Sequence, residues 1–217
     1  CLGHSNVEVV TAMHEQAQKL AFASTVFYTT DVAEQLAEEL VSKAPPGLRY
    51  ASYGNSGSEQ VENALKLARQ YHVDIGNPNK NIVIGRDYSY HGMTIGTLGV
   101  GGHLQRRDLY ETMLPESYKI SPYFEYRHKR DTESVEEYSL RTANTLEEKI
   151  LQLGEENVAA FICEPVVAAP IGVVGANKTY FKRIREICNQ YNVLLILDEI
   201  FCGMGRLGSL YACELDG

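Results

Sequence analysis

The stretch LLILDEIFCGMGR, from Leu194 to Arg206, decides the fold. Its aliphatic residues run without a polar break and stop at two adjacent carboxylates, Asp198 and Glu199. A short continuous apolar run fits a strand covered on both faces, as in a parallel sheet flanked by helices. An ionised carboxylate is costly to bury unless a positive or hydrogen-bonding group meets it. Two acids at the carboxyl end of such a strand suggest a site, because ligands gather at that edge of α/β sheets.

Working outward, the same pattern recurs. Ile82-Val83-Ile84 reads as a strand, followed by the loop YSYHGMTIG; Ala159–Cys163 reads as another, followed by Glu164-Pro165; Val193–Leu197 is the last. Helical spacing marks Val7–Leu20, with Val9, Val10, Met13, Ala17 and Leu20, and a second helix capped by Asp31 with the stripe Ala33, Leu36, Ala37, Leu40 and Val41. Pro45-Pro46-Gly47 stops it. The turn GNSGS opens a third helix along Val61, Ala64, Leu65 and Ala68, and further helices are expected near Leu146–Leu153 and over Thr179–Gln190. Residues from Gly101 to Asn144 read as a long irregular excursion with a short helix near Ser134–Arg141. The alternation predicts an α/β fold, a mostly parallel central sheet flanked by helices. Residues 1–45 are expected to form an N-terminal segment and residues 46–217 the larger, ligand-binding domain.

Composition narrows the function. The chain has 217 residues, 44% hydrophobic and 22% charged, and a net charge of -8, which argues against a nucleic-acid binder. Its longest basic runs are Arg106-Arg107 and His128-Lys129-Arg130. Cys1, Cys163, Cys188, Cys202 and Cys213 are scattered without a CxxC pair, and three of them lie in or beside apolar runs, which reads as small core residues in a reducing compartment. The histidines show no metal spacing, and no apolar run reaches bilayer-spanning length. The sequence begins inside an apparent LGH turn and stops at CELDG, and it reads as an excerpt of something longer; a cytoplasmic location is expected, with a mitochondrial one left open.

Three constellations carry chemistry. In GNSGSE, Gly54–Glu59, Ser56 and Glu59 have capping-box spacing. Gly54 and Gly57 permit close approach, and the helix N-terminus with Ser56 and Ser58 suits a phosphate; a plain N-cap explains the same residues when taken alone. In Tyr90-His91-Gly92 an aromatic ring stands just beyond a strand, where it either stacks on a planar ligand or packs on the domain edge. LLILDE resembles the magnesium-holding strand of a P-loop ATPase, but no Gly-Lys pair occurs anywhere in the chain. VGVGGH has the wrong glycine spacing for a nicotinamide fold. Pyridoxal phosphate would use all three constellations: phosphate on GNSGS, ring against Tyr90, ring nitrogen against Asp198. The acid keeps that nitrogen protonated, which makes the ring an electron sink for a carbanion.

At these residues the sequence resembles the class III aminotransferases, the ω-transaminase group of fold type I pyridoxal-phosphate enzymes. LGHSNVEVV, YGNSGSEQVENALKLAR, YHGMTIG, CEPVV and LLILDEIFCGMGRLG match the family's motifs in order. The resemblance implies Gly57 and Ser58, beside Ser56, as the phosphate-binding turn, and Tyr90 as the stacking aromatic with His91 and Gly92 shaping its loop. It implies Glu164 as the acid beside the cofactor, Asp198 as the pyridinium partner and Ile200 beneath the ring, with Arg206 and Gly208 in a structural turn. It further implies an amine donor, a keto-acid acceptor and a homodimer.

Departures sharpen the picture. Many members carry Gln where Phe201 stands, which narrows the branch, and VVAAPIGVV replaces a small-glycine pattern after Glu-Pro. The family's Schiff-base lysine lies in an apolar-Ala-Lys-Gly segment past the Asp motif, and no lysine of this sequence matches it. A fragment of an aminotransferase, inactive by itself, is therefore expected. A sister enzyme on the same cofactor (aminomutase, racemase or decarboxylase) and a truncated homologue that pairs with a full-length subunit are the alternatives.

Overall fold

A computed structural model describes residues 2–215; Cys1 lies outside them. Residues up to Ser52 and residues from Tyr53 onward form separate compact units.

In the first unit, α1 spans Val7–Lys19 and α2 spans Asp31–Ser42. The side chain of Asn6 accepts the Val9 N–H and starts α1. The cap of α2 is Thr30, not Asp31: the Thr30 hydroxyl accepts the Ala33 N–H at 3.3 Å. Asp31 instead sits in the first turn, where its charge favours the positive end of the helix dipole. Neither helix buries a residue.

The second unit opens with α3 (Gly57–Asp74), then β1 (Ile82–Arg86), α4 (Ile95–Val100), α5 (Leu104–Arg107), β2 (Tyr118–Ile120) and α6 (Glu125–His128). It continues with α7 (Val135–Leu153), β3 (Val158–Cys163), β4 (Val166–Val167), β5 (Val174–Gly175), α8 (Lys178–Gln190) and β6 (Leu194–Leu197). The main sheet has the order β2-β1-β3-β6, every pair parallel, and β4-β5 is a small antiparallel pair.

Alternation along each strand explains why helices cover both faces. Ile84, Phe161, Cys163, Leu195 and Leu197 point into one core with Tyr138, Leu146 and Ile150 of α7 and Tyr180, Ile184 and Ile187 of α8. Their neighbours Val83, Ile162 and Ile196 point the other way, to Val61 and Leu65 of α3 and Val100 of α4. The expected parallel sheet is thus a middle layer between two helical ones.

The expected excursion between Gly101 and Asn144 is more ordered than its polarity suggests. It contains the edge strand β2, and the two short helices read near Ser134–Arg141 and Leu146–Leu153 are one 19-residue helix. Ser134 and Glu137 form a reciprocal capping box that starts it. Buried Thr142 and Ala143 carry it through the polar middle. Tertiary packing overrides weak local periodicity there.

At the amino ends of the strands, buried Lys80 donates to the carbonyls of Glu155, Val158 and Tyr191 at 2.6, 2.9 and 3.0 Å. The opposite, carboxyl edge carries Arg86, Glu164 and Asp198, each buried.

Candidate active site

The site starts at the N-terminus of α3. Ser56 caps the helix by accepting the Glu59 N–H at 3.2 Å, while the Glu59 carboxylate reaches back to the Asn55 N–H at 2.6 Å. The expected capping pair therefore closes one residue earlier than the standard box. Ser58 Oγ accepts the Met93 N–H at 3.1 Å, which leaves its own proton free to donate. Among the described residues the Gly57 and Ser58 N–H groups meet no acceptor.

The loop after β1 crosses this helix end. Gly92 has φ 129°, and a Cβ there would come within 2.6 Å of Ser58 Oγ and 2.9 Å of Ser58 Cα, so a side chain would lift the loop off the helix. Gly57 has a similar role: a Cβ would meet the tip of Ile200 at 2.6 Å. Ser89 ties the loop's start, donating to the Arg86 carbonyl at 2.7 Å and accepting the Gly102 N–H at 3.1 Å.

After β6, Asp198 continues the sheet by donating its N–H to the Cys163 carbonyl at 2.9 Å. Its carboxylate turns to the loop: Oδ2 is 2.9 Å from His91 Nδ1, and Oδ1 accepts the Ile200 N–H at 3.2 Å. Glu199 points elsewhere and accepts the backbone N–H groups of Ala212 and Cys213 at 2.6 and 2.8 Å.

Gly57, Ser58, Tyr90, His91, Gly92, Asp198 and Ile200 line one cavity of about 190 Å³, together with Phe201. Seven of the nine residues expected to hold the ligand share this wall. Ser56 stands outside it, its oxygen accepting the cap bond from the Glu59 N–H. Glu164 lies behind it: Oε1 accepts the Tyr90 N–H at 3.0 Å, and burial pushes its carboxyl above the ordinary range against the pull of His91 and Arg86. A larger cavity of about 630 Å³ runs along α8 and β6 past Phe181, Leu195 and Leu197. It contains none of the expected site residues, so size does not locate the chemistry here.

Sequence reasoning missed several supports. Arg106 stacks 5.0 Å from the Tyr90 ring centre, and the Phe201 ring lies 6.1 Å from it. Arg107 is buried and donates to the carbonyls of Leu98, Gly99 and Gly101, closing the end of α4. The adjacent arginines after a glycine-rich stretch were the available signal. Arg86 gave none, since a charged residue ending a strand usually reads as solvated. Among the described residues no group of three or more His, Cys, Asp or Glu could hold a metal ion, and no helix is long and apolar enough to cross a membrane.

The donor set tests the expected cofactor. An 18-residue helix offers two uncommitted N–H groups and a hydroxyl proton, the requirements of a phosphate. A buried carboxylate on the same wall suits a cationic ring nitrogen, with a tyrosine ring and an isoleucine nearby. The residues fit pyridoxal phosphate.

The sheet, its two helical layers and this edge site define the fold of the type I pyridoxal-phosphate transferases. An omega transaminase from Pseudomonas jessenii, solved in complex with PMP, matches all of the chain with a TM-score of 0.94 and 32% identity, the chain covering 48% of it. The family described as "Aminotransferase class-III" matches residues 1–217, and the chain belongs to it. An aminotransferase of Gibberella zeae is 40% identical over all of this chain and 43% of its own length. The putrescine--pyruvate aminotransferase of Pseudomonas aeruginosa is 36% identical over all of this chain and 47% of its own length. The chain spans about half the length of the curated relatives it matches.

Proposed function

We propose that this chain is the cofactor-binding part of a pyridoxal-phosphate-dependent aminotransferase that moves an amino group from an amine or ω-amino acid to a keto acid. The carrying observation is the buried Asp198 carboxylate, set by His91 at 2.9 Å on the same wall as the open first turn of α3. Gly57, Ser58 and the α3 N-terminus bind the phosphate, Tyr90 and Ile200 flank the ring, and Asp198 holds a proton on the ring nitrogen. When bound, the cofactor supplies an electron sink for the electron pair released at the substrate carbon. The Tyr90 and Phe201 rings, tilted against each other, line the same cavity.

The name of the Pseudomonas aeruginosa relative supports a primary amine donor and pyruvate as acceptor for this chain too. The working form is proposed as a cytoplasmic homodimer whose partners are small molecules; the net charge of -8 speaks only against a nucleic-acid partner. Among the described residues no lysine lines the cavity, so the 217-residue chain by itself is expected to hold the cofactor without a covalent bond.

Cofactor uptake is measurable by quenching of tyrosine emission, because the chain has 14 Tyr and no Trp. Saturable binding of one pyridoxal phosphate, with no pyridoxyl-lysine after borohydride reduction, is the expected result. Absence of saturable binding sinks the cofactor assignment. For the complete enzyme, alanine formation from putrescine and pyruvate tests the donor, and no amino transfer across a panel of amines would defeat the aminotransferase assignment.

A further inference from the structure

Behind the cavity wall lies a charged pair that does not itself line the cavity. Arg86, at the end of β1, is 1% exposed, and Glu164, after β3, is 3% exposed. Arg86 Nη2 donates to the Glu164 carbonyl at 2.6 Å and stands 3.8 Å from Glu164 Oε2. Two other acidic groups flank the guanidinium, Cys163 and Tyr180, and both stay neutral: burial pushes the Cys163 thiol up to about 12 and holds the Tyr180 phenol above its ordinary value. Glu164 is therefore the counter-charge of Arg86 among the described residues. Its other oxygen, Oε1, takes the Tyr90 N–H, and the next residue, His91, meets Asp198. Loop, acid and arginine form one chain of contacts leading from the sheet interior to the site.

We propose that Arg86 is a positioning residue: its buried guanidinium keeps the Glu164 carboxylate ionised, and that carboxylate anchors the Tyr90–His91 backbone against Asp198. The physical ground is that a buried carboxylate without a counter-charge is strongly disfavoured. Without Arg86, Glu164 takes up a proton or turns toward water, and its grip on Tyr90 weakens. The effect on the site rests on the cavity being the cofactor site; the charge pairing does not.

The test uses Arg86→Met, Glu164→Gln and the double variant. Gln keeps an oxygen for the Tyr90 N–H but carries no charge, so the double variant restores neutrality with the anchor intact. In cofactor-free protein labelled with ¹³C-glutamate, the infrared band missing from Glu164→Gln identifies Glu164. It is expected as carboxylate in the wild type and as protonated carboxyl in Arg86→Met. Pyridoxal phosphate affinity is expected to fall about tenfold in Arg86→Met and to recover in the double. An ionised Glu164 in Arg86→Met, or a double variant that binds as weakly as Arg86→Met, overturns the proposal. So does a double variant that fails to fold; folding of the double where Arg86→Met does not fold supports it. If the wild type binds no pyridoxal phosphate, the proposed function fails while the infrared result still decides the charge pairing.

Discussion

His91 Nδ1 and Asp198 Oδ2 lie 2.9 Å apart although 107 residues separate them in the chain, and both side chains are buried. The contact joins the loop after β1 to the end of β6, across the width of β3. It fixes which way the Asp198 carboxylate faces and leaves Oδ1 on the Ile200 N–H. Each end of the carboxylate is thus held before any ligand arrives, which is how a site avoids reorganising on binding.

Asp198→Asn keeps the shape of this arrangement and removes the charge. A hydrogen bond to a charged group contributes about 1.5–3 kcal/mol, so pyridoxal phosphate affinity is expected to fall roughly ten- to a hundredfold. Thermal stability of the cofactor-free protein should change little. Unchanged affinity in a titration of this variant would remove the ring-nitrogen role from Asp198.

Lys80 offers a contrasting test at the other end of the sheet. Its ammonium serves three carbonyls, and burial holds its pKa below the ordinary lysine value. Lys80→Met fills the space and orphans the carbonyls, at an expected cost of about 2–4 kcal/mol. Urea denaturation measures it, and an unchanged midpoint contradicts the clamp. Cofactor affinity should stay within about threefold of wild type, because the clamp lies at the edge opposite the site.

Most of the sheet was legible because Ile82–Ile84, Ala159–Cys163 and Val193–Leu197 are apolar without interruption, the usual pattern of strands in a parallel sheet flanked by helices. β2 was not, since Tyr-Lys-Ile is three residues long and amphipathic, and its strand character comes from pairing with β1. α7 was split because Arg141 to Asn144 look polar, yet Thr142 and Ala143 are buried against the rest of the core. The cavity wall was legible from glycine, serine and acid placed around strand ends. Its supports Arg86, Arg106 and Arg107 were not, because an arginine's partners are carbonyls, rings and acids far away in sequence, and local pattern carries no trace of them.

The Glu133–Arg141 pair predicts how the start of α7 responds to acid. Glu133 accepts Arg141 Nη2 at 2.6 Å, Arg141 Nε at 3.0 Å and the Arg130 N–H at 2.7 Å. The Arg141 hydrogen bonds hold its carboxyl down to about 2, from an ordinary 4.5. The unfolded chain therefore binds this proton first as pH falls, so the contribution is complete above about 4.5 and is lost toward about 2. In Glu133→Gln, the loss of stability between about pH 5 and about pH 2 should be shallower than in the wild type. Parallel acid profiles of melting temperature would rule out the linkage.

Glu199, next to Asp198, is expected to behave in the opposite way. Successive residues at a strand end face opposite sides, and here one acid meets the cavity while the other returns to its own loop. Both Glu199 oxygens accept backbone N–H groups, from Ala212 and Cys213, and its carbonyl accepts the Gly203 N–H at 2.7 Å. The loop carrying Ile200 and Phe201 is closed by that carboxylate. Glu199→Ala orphans the N–H of buried Ala212, with an expected cost of about 1–3 kcal/mol and faster hydrogen exchange at Ala212 and Cys213. Asp198→Asn should leave those two amides protected while losing cofactor affinity. Glu199→Ala should expose them and reduce affinity less, through a looser Ile200–Phe201 wall. If both substitutions weaken pyridoxal phosphate equally and neither alters exchange at Ala212, the division of labour between the two adjacent acids is wrong.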